Sequence, residues 1–260
     1  MESRFDNYFI TALPRQRLTF AYDGRGRRIE KRVYDWNYTT TTFQLTTTTK
    51  FAYDTGWNLL AERESTQPSW RTYLWGGDLS GTLVGAGGVG GLLVENDPSQ
   101  GALVSAYDGN DNIKSLLKVG DGTIGATYEY GPFGEPLRAT GPMAKANPFR
   151  FSTHYTDEET GLVYAKRRYY WPAAGRWISR DAIGERGGAN LNAAFLNNPI
   201  SNFDPNGNEV ITAVPPGYTA EFGRLLRERF QAYVKNIQNE KTKQSSRHSQ
   251  IFSGKGRCAT

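Results

Sequence analysis

A chain of 260 residues with a net charge of +5 and one cysteine is long enough to bury a substantial core, and it excludes an internal disulfide framework and any cysteine-based zinc site. Tyr, Phe and Trp make up 13% of residues, and 29 Gly with 12 Pro favour short strands broken by turns over long helices. Residues 219–260 carry +6 and the rest −1, so the basic character belongs to the C-terminal tail.

The N-terminal MESRFDNYFITALPRQR lacks a cationic start followed by an apolar core of signal-peptide length, and no apolar run approaches a membrane span. The chain therefore reads as cytoplasmic, or as secreted or surface-associated by a non-classical route. From Phe20 onward a unit recurs: FAYDGRGRRIEKRV, FAYDTGWNLLAER from Phe51, SAYDGNDNIKSLL from Ser105 and YEYGPFGEPLRAT from Tyr128. In each, an aromatic (Tyr22, Tyr53, Tyr107, Tyr130) ends one run, a turn of Asp, Gly, Asn or Pro follows, and a second run begins. These are hairpins, and the aromatics are expected to stack on one another. Irregular spacing excludes a fixed-period solenoid.

Between the hairpins, the Thr-rich stretch 38–50 reads as an extended, solvated hairpin. GTLVGAGGVGGLLV (81–94) is glycine-rich but has no following G-K-[ST], so it is not a phosphate loop. From Asn147 the pattern tightens. LVYAKRRYY (162–170) reads as one strand with Tyr164, Lys166, Arg168 and Tyr170 on one face, either stacking within a sheet or offering a surface for single-stranded nucleic acid. Asp157, Glu158 and Glu159 read as a solvated turn rather than a calcium site. His154 and His248 lie in different segments with no nucleophile placed beside either. After Gly207 the character changes. Thr219 is a plausible N-cap, and Phe222, Leu225, Leu226, Phe230, Tyr233, Val234 and Ile237 recur at helical spacing, predicting one short amphipathic helix before a polar basic tail.

The Tyr-Asp units resemble the YD repeats of Rhs proteins. Residues 147–207 resemble the Rhs repeat-associated core, on the wording ETGLVYAKRRYYWPAAGRWISRDAIGERGGANL and NNPISNFDPNG. The resemblance implies a mainly β fold of hairpins in a spiralling antiparallel sheet. It divides the chain into a YD-repeat shell segment (1–146), the core (147–207) and a variable C-terminal tip (208–260). In self-cleaving members the core ends in an aspartyl autoprotease. Carried over here, that places catalytic carboxylates on Asp181 and Asp204, with Arg180 to orient one of them, and a scissile bond near Asn208-Glu209. Two carboxylates sharing a proton would activate water and protonate the departing amide without metal or cofactor. Two letters depart from the pattern: Ala182 replaces a proline, and Asn208 stands where cleaving members place a large apolar residue.

Three readings stand at this point. The chain is the C-terminal part of an Rhs-type polymorphic toxin, working with the rest of a shell, a secretion apparatus and an immunity protein, with Asp181 and Asp204 either cutting the chain or only forming turns. Alternatively it is a non-catalytic surface or interaction repeat protein, or a remnant of a longer gene. A third possibility gives the basic tip a nucleic-acid or anionic-membrane target.

Overall fold

Ten strands run in sequence order through one antiparallel sheet, each paired with the next, in a computed structural model that describes residues 15–212 except 188, 200, 201 and 209. They are β1 (Gln16–Tyr22), β2 (Arg28–Asn37), β3 (Thr42–Tyr53), β4 (Leu59–Glu64), β5 (Arg71–Trp75), β6 (Leu92–Asp97), β7 (Gly101–Tyr107), β8 (Ile113–Lys118), β9 (Ile124–Tyr130) and β10 (Pro136–Thr140). A second sheet follows: β11 (Tyr155–Asp157), β12 (Leu162–Ala165), β13 (Arg168–Trp171) and β14 (Arg176–Trp177). The last pair is β15 (Asn202–Phe203) with β16 (Ile211–Thr212). The Thr-rich stretch is extended, as β3 against β2. The amphipathic helix expected from Thr219 and the tip beyond it lie outside the described residues.

The repeat has a physical basis that its letters only partly display. At Tyr22, Tyr53, Trp75 and Tyr107 the ladder shifts register immediately before the aromatic. Such a bulge re-aims the side chain. Trp75 Nε1 donates to the Leu59 carbonyl at 2.7 Å, Tyr107 Oη to Leu92 at 2.5 Å and Tyr130 Oη to Ile113 at 2.9 Å. Leu59, Leu92 and Ile113 are the residues paired with the preceding aromatics Tyr53, Trp75 and Tyr107. Each ring thus ties its hairpin to the one before. The expected stacking is replaced by this hydrogen-bonded relay: among the described residues Tyr22, Tyr53 and Tyr107 make no ring contact with one another.

The Asp that follows closes the turn. Asp23 Oδ1 accepts the amides of Arg25 and Arg27, Asp54 Oδ1 those of Gly56 and Asn58, and Asp108 Oδ1 those of Asn110 and Asn112, all between 2.8 and 3.1 Å. Under the turns, Leu92, Leu103, Ile113 and Leu116 are wholly buried with Phe51, Tyr73, Tyr128, Met143 and Phe149. A smaller cluster of Phe151, Val163, Ala165, Tyr170, Trp177 and Phe195 lies under the second sheet.

Two sequence expectations are corrected. LVYAKRRYY is a hairpin rather than one strand: β12 ends at Ala165, Lys166 takes a φ of 56°, and Ala165 pairs with Arg168. The turn uses no Gly, Asn or Asp, so composition does not announce it, and the reversal turns Arg168 inward. Asp157 is not solvated. It is 1% exposed, with Arg28 Nη1 at 2.6 Å and Lys31 Nζ at 3.2 Å, and Lys31 also meets Glu159 at 2.9 Å. Arg28 itself is wholly buried between Phe51, Tyr155 and Tyr164, its guanidinium carbon 4.6–4.8 Å from each ring centre. This pair joins β2 of the large sheet to β11 of the small one.

Candidate functional site

β13 begins with Arg168, and its side chain runs inward over Trp177, 4.4 Å from the ring centre. Its Nη2 lies 2.9 Å from Asp181 Oδ2 and 3.2 Å from Asp204 Oδ2, while Nε donates to the Gly207 carbonyl. The two aspartates singled out in sequence therefore converge on one guanidinium nitrogen. Asp204 is 3% exposed, and Asp181 is held by its own turn, accepting the Ile183 amide at 3.0 Å. Arg180 is exposed and makes no ion pair among the described residues; the cation that meets both carboxylates is Arg168. Asn208 closes the turn by donating its amide to Asp204 Oδ1 at 3.0 Å. Glu209 lies outside the described residues.

That last bond repeats a geometry already present three times. Asp23 to Arg27, Asp54 to Asn58 and Asp108 to Asn112 make the same contact from an Asp to the amide four residues on, and Phe203-Asp204 stands where each of those has Tyr-Asp. Phe203 pairs with Ile211 across the turn, so residues 202–212 are a further hairpin of the repeat. In two of the earlier turns an Asn side chain also reaches the second carboxylate oxygen, from Asn58 at 3.2 Å and from Asn112 at 2.9 Å. At Asp204 that oxygen is met by Arg168 instead.

Two further elements press on this hairpin. The glycine-rich loop folds around an internal carboxylate: Asp78 accepts from Ser80 N at 3.0 Å, Ser80 Oγ at 2.6 Å, Ala86 N at 2.7 Å and Gly88 N at 3.1 Å. Between the last two donors, Gly87 has a φ of 65° and sits so close to Pro205 that a Cβ there would come within 2.8 Å of the proline ring. His154 is buried against the backbone of Asp204. Burial pushes its pKa down to about 4, Lys166 adds to the effect, and the hydrogen bond to Asp204 only partly opposes it, so the imidazole is neutral at neutral pH. Beside the hairpin is a cleft of about 190 Å³ lined by Gly56, Trp57, Val84, Lys166, Arg167 and Asn206.

As arranged, the site is an ion-pair clamp. One guanidinium nitrogen sits between the two carboxylates and is within ion-pair distance of each. No cluster able to hold a metal ion occurs among the described residues. Sequence reasoning missed Arg168 because alternation was carried through Lys166-Arg167; the pairing of Ala165 with Arg168 is visible only in the fold.

A sheet of Tyr-Asp hairpins joined by an aromatic relay, followed by a small second sheet, defines a mainly β, YD-type hairpin fold. No family model matches the chain. The toxin protein Tse5 of Pseudomonas aeruginosa is 37% identical over 112 residues, 42% of this chain and 8% of Tse5. The tRNA3(Ser)-specific nuclease WapA of Bacillus spizizenii is 29% identical over 211 residues, 79% of this chain and 8% of WapA. The crystal structure of TcdB2-TccC3 without hypervariable C-terminal region matches at a TM-score of 0.55 and 24% identity over 76% of this chain and 9% of that chain, which shows the shared fold. These similarities bear out the resemblance to Rhs-type toxins, and the chain spans less than a tenth of the length of each of these relatives.

Proposed function

We propose that this chain is a structural shell and core segment of an Rhs-type toxin, in which residues 1–146 extend the shell, 147–207 close it, and 208–260 form a separate tip. The observation that carries this reading is the shared grip of Arg168 on Asp181, Asp204 and the Gly207 carbonyl, which fastens the chain where the tip departs. Asn208 fits the same role. It occupies the place of Asn58 and Asn112, the turn-closing residues of the repeat, in the position where a cleaving relative would seat an apolar side chain. Arg180 has no part in the grip. The remainder of a shell, a secretion apparatus and an immunity protein are the partners this reading requires, and secretion would follow the route of the whole toxin. Among the described residues no helix is long and apolar enough to cross a membrane.

A second reading, self-cleavage, is favoured by one observation: two carboxylates meet beside the 207–208 peptide, whose carbonyl and amide are held by Arg168 and Asp204. For it to operate, Arg168 must release one carboxylate so that a proton can be shared. Asp181 or Asp204 would then activate water against the scissile carbonyl, and the other would protonate the leaving nitrogen. Intact mass of the freshly purified chain beside its Asp204→Asn variant decides between the readings. One full-length species in both establishes the structural role. Two fragments in the wild type and one species in the variant establish the protease.

A further inference from the structure

The turn that carries Asp204 contains the chain's single Asn-Gly pair, Asn206-Gly207. In such a pair the glycine nitrogen reaches the asparagine Cγ without a side chain in the way. Two features of the fold leave that reaction open. Asn206 is exposed, and its carboxamide makes no hydrogen bond among the described residues. Asn206 also lines the cleft with Lys166 and Arg167, neither of which makes an ion pair among the described residues.

We infer that Asn206-Gly207 is a self-modification site, at which the side-chain amide is lost through a cyclic imide and the new carboxylate is received by Lys166 and Arg167. The Gly207 nitrogen attacks Asn206 Cγ and forms the N–C bond. The Cγ–NH2 bond breaks, and the departing nitrogen leaves as ammonia carrying the proton that Gly207 gave up. Solvent water then opens the ring at either carbonyl, giving aspartate or isoaspartate. Lys166 is suited to hold the anionic oxygen that develops on Cγ, because it lines the same cleft and makes no direct ion pair among the described residues. Its pKa is brought down to about 8, by burial above all, against the pull of Asp78 and Asp54, so it remains mostly cationic at neutral pH.

The isoaspartate product would act on the clamp. Its main chain passes through the former side-chain carbon and so gains one atom between Pro205 and Gly207. Gly207 has no room for this: a Cβ on it would already come within 2.9 Å of the Ala165 carbonyl and 3.2 Å of Arg168. The Gly207 carbonyl would be displaced from Arg168 Nε, loosening the chain where the tip begins. The site is thus a slow chemical timer built into the turn.

The test ages the purified full chain at neutral pH and physiological temperature, maps the peptides by mass, and probes them with an isoaspartyl methyltransferase. Expected is a gain of one mass unit with methyl acceptance located at 206–207, absent in Asn206→Ser. The gain should be several-fold slower in Lys166→Met, and an equal rate there would overturn the part assigned to the lysine. If the folded chain shows no gain while the same chain in denaturant does, the turn holds Gly207 away from Asn206, and the inference is overturned.

Discussion

Replacing Asp157 by Asn tests whether one buried ion pair joins the two sheets. The substitution keeps the shape and removes the charge, leaving Arg28, wholly buried, with no anion at its Nη1. Breaking a buried pair from one side costs about 3–5 kcal/mol. Lys31 retains Glu159 at 2.9 Å, so the loss falls mainly on Arg28, and about 3 kcal/mol is expected. In urea this lowers the unfolding midpoint by about 1 M. The pH dependence is a second check. Burial opposes ionisation of Asp157, but Arg28 and Lys31 outweigh it, so the folded pKa lies below the ordinary value of 3.8. The stability it contributes is therefore present above that value and lost as pH falls through the lower folded one. The gap between wild type and variant should hold from neutral pH down to about 4 and close in stronger acid. A loss under about 1 kcal/mol, or a gap unchanged in strong acid, would refute the reasoning. A paired Arg28→Met/Asp157→Leu change should recover most of the loss, since no buried guanidinium is left without an anion and Lys31 keeps Glu159.

Glu95 predicts the opposite pH trend. It is wholly buried, and burial raises its pKa from 4.5 to about 8, with Glu62 and Asp97 adding and Arg71 opposing. Its contribution is present below 4.5 and lost as pH rises through about 8, so Glu95→Gln should flatten the decline in urea midpoint over that interval. Asp78→Ala strands the amides of Ala86 and Gly88, each costing about 1–3 kcal/mol, and limited proteolysis should then cut within residues 79–91 of the variant first.

The hairpins were legible in the sequence because Asp-Gly and Asp-Thr-Gly turns advertise themselves and the aromatics before them recur. Trp75 was not legible as a member of the series, since Gly76-Gly77 follows it in place of Asp, yet it makes the same register shift and the same backbone hydrogen bond. Asp181 and Asp204 were found through wording shared with a family rather than through spacing. The residues that complete the site are long-range: Arg168 depends on an unannounced two-residue reversal, and Gly87 meets Pro205 across more than a hundred residues of chain. Asp157 was read as part of a solvated turn for the same reason, because its partner Arg28 comes from a distant segment.

The repeat supplies its own control for the meaning of Asp204. Asp23, Asp54 and Asp108 show what closing such a turn requires: one oxygen on backbone amides, the other on a side chain of the same turn, Arg27 Nε at 2.7 Å or the Asn58 and Asn112 amides. None of them needs a second carboxylate. At Asp204 the second oxygen is met from another sheet, by an arginine that also holds Asp181, so the last hairpin is bound to the small sheet as well as closed on itself. Arg168→Lys separates the two duties. Lysine keeps the positive charge, but its single ammonium lacks the fixed fork that reaches Asp181, Asp204 and the Gly207 carbonyl together. If the cluster is a clamp, the variant should lose about 2–3 kcal/mol and become sensitive to protease after Gly207, with its mass unchanged before protease is added. If the carboxylates are held ready for chemistry, loosening the arginine should let them share a proton, and the variant should cut itself where the wild type does not. A variant as stable and as protease-resistant as the wild type would show that charge alone suffices and that the three-way geometry has no role.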